Sequence, residues 1–218
     1  MNTELKSDWT GSSRLWLVLD HEACAPRDPV TVCKQAIRGG VDAVLCRLRN
    51  IDDSAKLDIA LKARKVCGIG NVPFVVSHDS ELARQTNADG IQFGKADANM
   101  QQLSQLAGEG IPWGYSSHAI DEAQEAIAAG ASWVFLGPVF VTPEKLKYGD
   151  PLGLDTAREA VQNLDESRIV FIGGINQANL AGLVESGARR IAVISAIQRD
   201  DEPMLAAQEL RLLLSKEG

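Results

Sequence analysis

Eight short apolar segments recur along the whole chain, and this recurrence constrains the fold more than any other feature. Segments with helical periodicity separate them, such as the one that begins at Asp28-Pro29. Continuous apolar strands joined by helices are typical of a parallel sheet whose outer face the helices cover. The predicted strands are Leu15–Asp20, Ala43–Arg47, Phe74–Ser77, Gly90–Gly94, Trp113–Ser116, Trp133–Gly137, Ile169–Gly173 and Ile191–Ser195.

A short internal repeat indicates that this sheet closes into a barrel. Four similar segments each end a helix and begin every second strand, which fits a closed barrel better than an open doubly wound sheet. The segments are Gly40-Val41-Asp42-Ala43, Asn87-Ala88-Asp89-Gly90, Gly130-Ala131-Ser132-Trp133 and Gly187-Ala188-Arg189-Arg190. We therefore predict an α/β fold with a single (β/α)8 TIM barrel over residues 15–218, preceded by an N-terminal extension over residues 1–14.

Composition and charge exclude several classes of partner. The net charge of -7 argues against binding to nucleic acid or to a membrane surface. No apolar run approaches the roughly 18 residues of a membrane span, and residues 1–14 lack the apolar core of a secretory signal. The four cysteines show no CxxC spacing and are typical of reduced thiols in a cytoplasmic protein. The residues predicted on the outer face do not indicate an interface, so the sequence leaves open whether the protein forms a homo-oligomer.

Polar residues gather at the carboxyl ends of the predicted strands, where TIM barrels carry their active sites. Gly173 and Gly174 follow the seventh strand directly, and Ile194-Ser195 ends the eighth. Loops after these two strands frequently bind phosphate through backbone N–H groups. We therefore predict a phosphate site there. The alternative is that the two glycines only permit a tight turn.

Two carboxylates, Asp79 and Asp97, follow the third and fourth predicted strands. Because these strands are neighbours in a barrel, the carboxylates would repel each other unless a cation lies between them. Hard oxygen ligands beside a phosphorylated substrate favour Mg²⁺. The alternative is that each aspartate caps the helix that follows it.

The second strand places Leu45, Arg47 and Arg49 on one side. Arginines that point into a barrel mouth need an anionic partner, and the guanidinium plane is suited to phosphate oxygens. A salt bridge with Asp79 or Asp97 is the alternative. His118, after the fifth strand, is a candidate acid/base group, since its unperturbed pKa lies near neutrality, or a helix-start residue without a chemical role.

The loop over residues 136–154 carries Thr142 and Lys145 among several Gly and Pro residues. A strand end that opens into such a loop is a common place for an anionic ligand. An ordinary surface loop is the alternative.

Several blocks together resemble thiamine-phosphate synthases and their TenI-like relatives, in the same order and with the same spacing from about residue 15 to residue 197. The blocks are LWLVLD, GGVDAVLCRLR, VVSHDSELARQTNADGIQFGKAD, GYSSHAIDEAQEAIAAGASWVFLGPVFVTPEK and FIGGINQANLAGLVESGARRIAVISAI.

The resemblance implies a (β/α)8 barrel that joins a hydroxymethylpyrimidine diphosphate to a thiazole phosphate and releases pyrophosphate with the help of Mg²⁺. His118 and Lys145 are the candidate catalytic residues. By motif, Arg47, Asp79, Asp97, Ser116, Thr142 and Lys145 correspond to the pyrophosphate and Mg²⁺ set. Gly174, Ile194 and Ser195 correspond to the thiazole-phosphate anchor. A TenI-like thiazole tautomerase that uses His118, and a non-catalytic barrel that binds a phosphorylated ligand, are the alternative functions.

The chain departs from the pattern of the resembled family at several positions. Leu45 stands where that family usually has a pyrimidine-contacting Gln, and Gln92 stands where it has a His. Glu144 places a carboxylate where a hydroxyl would contact pyrophosphate, which predicts weaker binding by like-charge repulsion. These changes affect the pyrimidine and pyrophosphate contacts and leave Asp79 and Asp97 in place.

Overall fold

The computed structural model describes residues 9–108, 110–142 and 150–215, and in it eight parallel strands close into a barrel. Each strand pairs in parallel with the next along the chain, and β1 pairs with β8 to close the ring. The predicted closed barrel is therefore confirmed over the open sheet. The strands are β1 Leu15–Leu19, β2 Ala43–Cys46, β3 Phe74–Ser77, β4 Gly90–Phe93, β5 Trp113–Ser117, β6 Trp133–Leu136, β7 Ile169–Ile172 and β8 Ile191–Val193.

Helices connect the strands and cover the outside of the barrel. Asp28 caps α3 as predicted, because its Oδ2 accepts the backbone N–H of Thr31 at 2.9 Å. None of the helices in the described ranges is long and apolar enough to cross a membrane. They are α1 Trp9–Ser12, α2 His21–Cys24, α3 Pro29–Arg38, α4 Asp53–Gly70, α5 Ser80–Gln85, α6 Met100–Ala107, α7 Ile120–Ala128, α8 Gly153–Asn163, α9 Leu180–Glu185, α10 Ser195–Gln198 and α11 Pro203–Ser215, and a short 3-10 helix, Glu166–Arg168, precedes β7.

The internal repeat corresponds to one recurring turn from helix to strand. Gly40, Asn87, Gly130 and Gly187 all have positive φ, at 104°, 48°, 103° and 98°. In each case the next residue donates its backbone N–H to a carbonyl of the helix that has just ended. The chain thereby leaves each helix in a left-handed conformation and enters the following strand.

Alternation along the strands produces two apolar layers. One layer lies between the barrel and the helices and includes Phe74, Leu136 and Leu180. The other fills the inside of the barrel and includes Trp16 and Leu45. Leu45, the predicted departure in the pyrimidine pocket, therefore belongs to the packed interior, with 2% of its surface exposed.

Helix α1 closes the amino end of the barrel. We call this helix, together with the side chains that it covers, the floor. The ring of Trp9 lies 5.8 Å from that of Trp16 and 5.3 Å from that of Trp133. Beside it, the guanidinium of Arg190 is only 3% exposed and donates to the backbone carbonyls of Thr10, Ser13 and Ser167. Part of the predicted N-terminal extension thus packs into the barrel.

Candidate active site

A buried carboxylate holds two arginines at the carboxyl end of the barrel, which we call the mouth. Asp20 follows β1 directly and is 5% exposed. Its Oδ1 accepts the backbone N–H of Glu22 at 3.0 Å. Its Oδ2 lies 3.2 Å from Nη1 of Arg47 and 3.6 Å from Nη2 of Arg49. The two arginines therefore meet at the mouth as predicted, but their carboxylate is Asp20 and neither Asp79 nor Asp97.

The surroundings of Arg47 favour an anionic ligand. Burial lowers the pKa of Arg47, and the neighbouring positive charge of Arg49 lowers it further, while Asp20 opposes both effects. A single carboxylate oxygen cannot satisfy the N–H groups of two guanidinium planes. The side chains of Arg47 and Arg49 are 28% and 55% exposed, so a ligand can reach them.

Asp79 caps α5, which is one of the two roles predicted for it. Its Oδ1 accepts the backbone N–H of Leu82 at 2.9 Å. Its Oδ2 lies 3.4 Å from Nζ of Lys56, a residue that the sequence analysis did not select. The pKa of Lys56 is raised, since its contacts with Asp53 and Asp79 outweigh the effect of burial.

Asp97 contacts the residue that precedes Asp79. Its Oδ2 lies 2.6 Å from Nδ1 of His78 and accepts the backbone N–H of Gly94 at 2.7 Å. His78 itself has a positive φ of 62°, which turns its side chain out of β3. Asp97 does not cap a helix, because α6 begins at Met100 and its cap position is Asn99. The structure thus joins the loops after β3 and β4, as expected for neighbouring strands.

The donor set at the mouth fits Mg²⁺ held jointly by protein and substrate. In the described ranges no three His, Cys, Asp or Glu side chains gather closely enough to hold a metal by themselves. Mg²⁺ is usually bound by one or two carboxylates together with substrate phosphates and water. Asp79 and Asp97 are hard oxygen donors of this kind, and a diphosphate would supply the remaining ligands.

Ser116 lies next to the contact between His78 and Asp97. A Cβ atom added to Gly94 would be 3.2 Å from Cε1 of His78 and 3.9 Å from Cβ of Ser116. Both side chains therefore lie close to Gly94. The Oγ of Ser116 accepts a hydrogen bond from Nε2 of the buried Gln92 at 3.0 Å.

His118 lies at the edge of the mouth and is exposed. Its Nδ1 lies 2.6 Å from the backbone carbonyl of Gly137, so in a neutral ring the proton is on Nδ1. Its backbone N–H donates to Oε2 of Glu122 at 2.8 Å. The side chain borders a cavity of about 660 Å³ between α7 and α8, which Asp121 and Glu159 also line.

The glycine pair after β7 packs against the loop that follows β6. Gly173 and Gly174 have φ values of 101° and 70°. Added Cβ atoms would lie 2.6 Å from Cα of Pro138 and 2.7 Å from Cβ of Phe140. These glycines are therefore needed both for their backbone conformation and for close packing. The tight turn, which was the alternative to a phosphate site, is present.

The same loop carries the predicted Thr142. Its Oγ1 is buried, and no residue in the described ranges forms a hydrogen bond with it. Glu144 and Lys145 lie outside the described residues.

Ile194 and Ser195 lie where β8 turns into α10, with Ser195 as the first helical residue. Gln198 supports this turn from below: it is fully buried, and its Nε2 donates to the carbonyl of Val18 at 2.6 Å. Its Oε1 accepts the backbone N–H of Asp20 at 2.9 Å. The sequence analysis missed Gln198, although an amide that directly follows the apolar run Ala196-Ile197 was a usable signal.

Comparison with known proteins agrees with the geometry. A family model described as thiamine monophosphate synthase matches residues 15–197. Thiamine-phosphate synthase from Chloroflexus aurantiacus is 35% identical over 95% of this chain and 94% of its own length. The thiamine biosynthesis bifunctional protein from Geobacter sulfurreducens is 34% identical, but the chain spans only 40% of that protein. The structure of thiamine phosphate pyrophosphorylase from Pyrococcus furiosus superposes with a TM-score of 0.86 at 26% identity, covering 96% of this chain and 98% of that one.

Fold and site together define a single (β/α)8 barrel whose mouth carries arginines, carboxylates and glycine loops suited to phosphorylated ligands. The chain belongs to the thiamine monophosphate synthase family. The predicted family is thereby confirmed.

Proposed function

We propose that this protein is a thiamine-phosphate synthase, a transferase that joins hydroxymethylpyrimidine diphosphate to a thiazole phosphate and releases pyrophosphate in the cytoplasm. The observation that carries the proposal is the pair of accessible guanidinium groups that share one oxygen of Asp20 at the mouth. Such a pair retains N–H donors for the oxygens of a diphosphate. The names of the relatives that match along nearly the whole chain support the same reaction.

In the proposed reaction the bond between the pyrimidine-methyl carbon and the diphosphate oxygen breaks first. The electron pair leaves with pyrophosphate, and the thiazole nitrogen then attacks the pyrimidine-methyl cation. Arg47 and Arg49 hold the leaving oxygens, and Asp79 and Asp97 would hold Mg²⁺ beside them. When bound, Mg²⁺ would neutralise negative charge that develops on the leaving group.

The roles of the remaining predicted residues follow from their places in the sequence motifs of the family. Ser116, Thr142 and Lys145 bind the pyrophosphate, with Lys145 also a candidate catalytic residue. Gly173, Gly174, Ile194 and Ser195 anchor the thiazole phosphate through the loops after β7 and β8. Stabilisation of developing charge by groups already held in place is the main catalytic contribution that this arrangement supports.

The test is to supply hydroxymethylpyrimidine diphosphate, thiazole phosphate and Mg²⁺ and to measure thiamine phosphate and released pyrophosphate. We expect both products in equal amounts, and their loss when the metal is chelated. Arg47→Met is expected to lower kcat/KM at least about a hundredfold, on the scale of a charged contact to the leaving group. Arg84→Met is the matched control, because Arg84 is exposed and, among the residues that the structure describes, forms its ion pair with Glu81 on its own helix.

Other outcomes identify the alternative functions. Absence of product at high enzyme concentration overturns the proposal. Metal-independent isomerisation of a thiazole phosphate that is lost in His118→Ala would identify a tautomerase. Tight binding of a phosphorylated ligand without turnover would identify a non-catalytic barrel.

A further inference from the structure

Two buried polar side chains meet across a strand inside the barrel. Gln92 on β4, Gly114 on β5 and Trp133 on β6 are direct register partners. The Nε1 of Trp133 donates to Oε1 of Gln92 at 2.6 Å. Gln92 and Trp133 are 1% and 0% exposed, so this hydrogen bond is shielded from water. The bond links the two strands on either side of β5.

The contact exists because residue 114 has no side chain. A Cβ atom added to Gly114 would lie 2.1 Å from Nε1 of Trp133 and 2.5 Å from Oε1 of Gln92. Gly114 is not among the glycines with positive φ, so its backbone conformation does not require glycine. A glycine within a strand often marks such a close approach of other groups.

The indole fixes the direction of the whole hydrogen-bonded chain. An indole N–H can only donate, so the group of Gln92 that faces Trp133 must be the carbonyl oxygen. The amide nitrogen of Gln92 must then face the other way, where Nε2 donates to Oγ of Ser116 at 3.0 Å. Because Ser116 Oγ accepts this bond, its own proton points elsewhere.

Ser116 lies beside Gly94 and the ring of His78, at the carboxyl end of β5. Among residues 9–108, 110–142 and 150–215, no side chain or carbonyl accepts the proton of Ser116. We propose that Gln92 is a positioning residue which, locked by Trp133 across Gly114, holds the Ser116 hydroxyl as a hydrogen-bond donor to the ligand.

This arrangement defines the chemical class of the ligand atom at Ser116. A serine hydroxyl normally rotates and can donate or accept. Here Gln92 occupies one lone pair of the oxygen, and the hydroxyl proton is left to donate to an acceptor, such as an oxygen of a phosphate or diphosphate. The identity of the acceptor as pyrophosphate rests on the proposed function. Because the donor is oriented before the ligand arrives, little reorganisation is needed on binding.

The first measurement tests the hydrogen bond between Gln92 and Trp133 in the ligand-free protein. The indole ¹H–¹⁵N resonance of Trp133 is assigned by its loss in Trp133→Phe. We expect Gln92→Met to shift this resonance, because thioether sulfur is a weak acceptor. An unshifted indole resonance in Gln92→Met would overturn the proposal, whatever the protein catalyses.

The second measurement is calorimetric binding of inorganic pyrophosphate with Mg²⁺. In Gln92→Glu, a carboxylate would accept from both Trp133 and Ser116 and would turn the serine proton away from the mouth. We expect about tenfold weaker binding, the scale of one hydrogen bond. Gln92→His is expected to restore binding, since a neutral imidazole offers one acceptor and one donor. Trp113→Phe is the matched control, because Trp113 packs in the outer layer.

The Ser116→Ala variant shows whether Gln92→Glu weakens binding through Ser116 or through the charge of the new carboxylate. If Gln92 acts through Ser116, Gln92→Glu weakens binding in the wild type but adds little in the Ser116→Ala background. An equal loss in both backgrounds would show simple repulsion by the new carboxylate and would overturn the proposal. Failure of the wild type to bind pyrophosphate would overturn the proposed function together with the ligand assignment. Normal turnover with an equal loss in both backgrounds would overturn this inference alone.

Discussion

The floor and the mouth of the barrel both carry arginine, but the arginines have different partners. At the floor, Arg190 donates to backbone carbonyls and is 3% exposed, and burial lowers its pKa to about 10. At the mouth, Arg47 and Arg49 share a carboxylate and stay accessible. Backbone carbonyls occupy the N–H donors of a guanidinium group in holding the chain together. A shared carboxylate leaves some of these donors available for a ligand. We therefore expect the partner to distinguish a structural arginine from one that binds a ligand.

The largest expected effect tests the floor. Arg190→Met removes the buried donor from the carbonyls of Thr10, Ser13 and Ser167. We expect the free energy of unfolding to fall by about 3 kcal/mol. Pyrophosphate affinity of the folded protein should not change. Chemical denaturation and calorimetry measure the two quantities, and weaker binding at unchanged stability would contradict the comparison.

The second prediction tests the mouth through its backbone. Gly174→Ala forces a side chain into the packed loop at Phe140 while φ is 70°. A strain of about 2 kcal/mol corresponds to a roughly thirtyfold rise in the KM for thiazole phosphate. Gly110→Ala is the control, because Gly110 has a φ of 72° but, in the described part of the chain beyond its two neighbours, no atom lies within 4 Å of an added Cβ. Equal effects of both substitutions on KM would show that backbone strain alone is responsible.

The third prediction compares two arginines that lie close to the mouth but have different partners. Arg49 contacts Asp20, whereas Arg27 donates to the backbone carbonyls of Gln198 and Asp200. We expect Arg49→Met to weaken pyrophosphate binding about tenfold with little change in stability. Arg27→Met should lower stability by about 1 kcal/mol and leave binding unchanged. The reverse pattern would show that the partner does not determine the role.

The smallest effect concerns alkaline pH. Cys24, which donates to Oε1 of Gln198 beneath the mouth, has its pKa raised to about 12 by burial. The unfolded thiol ionises near pH 9, so the stabilisation is complete below that pH and is lost as the pH rises from 9 towards 12. Between pH 8 and pH 10 the wild type should lose about 1 kcal/mol more stability than Cys24→Ala. Denaturation curves at both pH values measure this difference, and parallel losses would contradict it.

The closed barrel could be predicted because the turns before β2, β4, β6 and β8 repeat in sequence and in backbone conformation. Strand ends were less certain, since pairing fades gradually. The backbone N–H of Arg47, for example, still donates to the carbonyl of Leu19 at 2.9 Å although β2 ends at Cys46.

The partners at the mouth could not be predicted from the sequence. Strand parity directs Arg47 inwards, but which carboxylate it meets depends on how Asp20 is turned when it caps α2. His78, which contacts Asp97, adopts a left-handed conformation that its sequence neighbours do not indicate.

The hydrogen bond between Gln92 and Trp133 joins residues that are 41 positions apart and carry no charge. No periodicity marks such a pair. Gly114 was the one available signal, since glycine is uncommon in a strand and indicates a close approach of other groups.

The absence of a side chain at Gly114 also has a consequence for building hybrid barrels. Exchange of half-barrels between relatives is an attractive way to change specificity in this fold. A junction placed between β4 and β5 would separate Gln92 from the two strands that orient it. A junction after β6 would transfer all three residues as one unit, so crossovers in this family should be sought there.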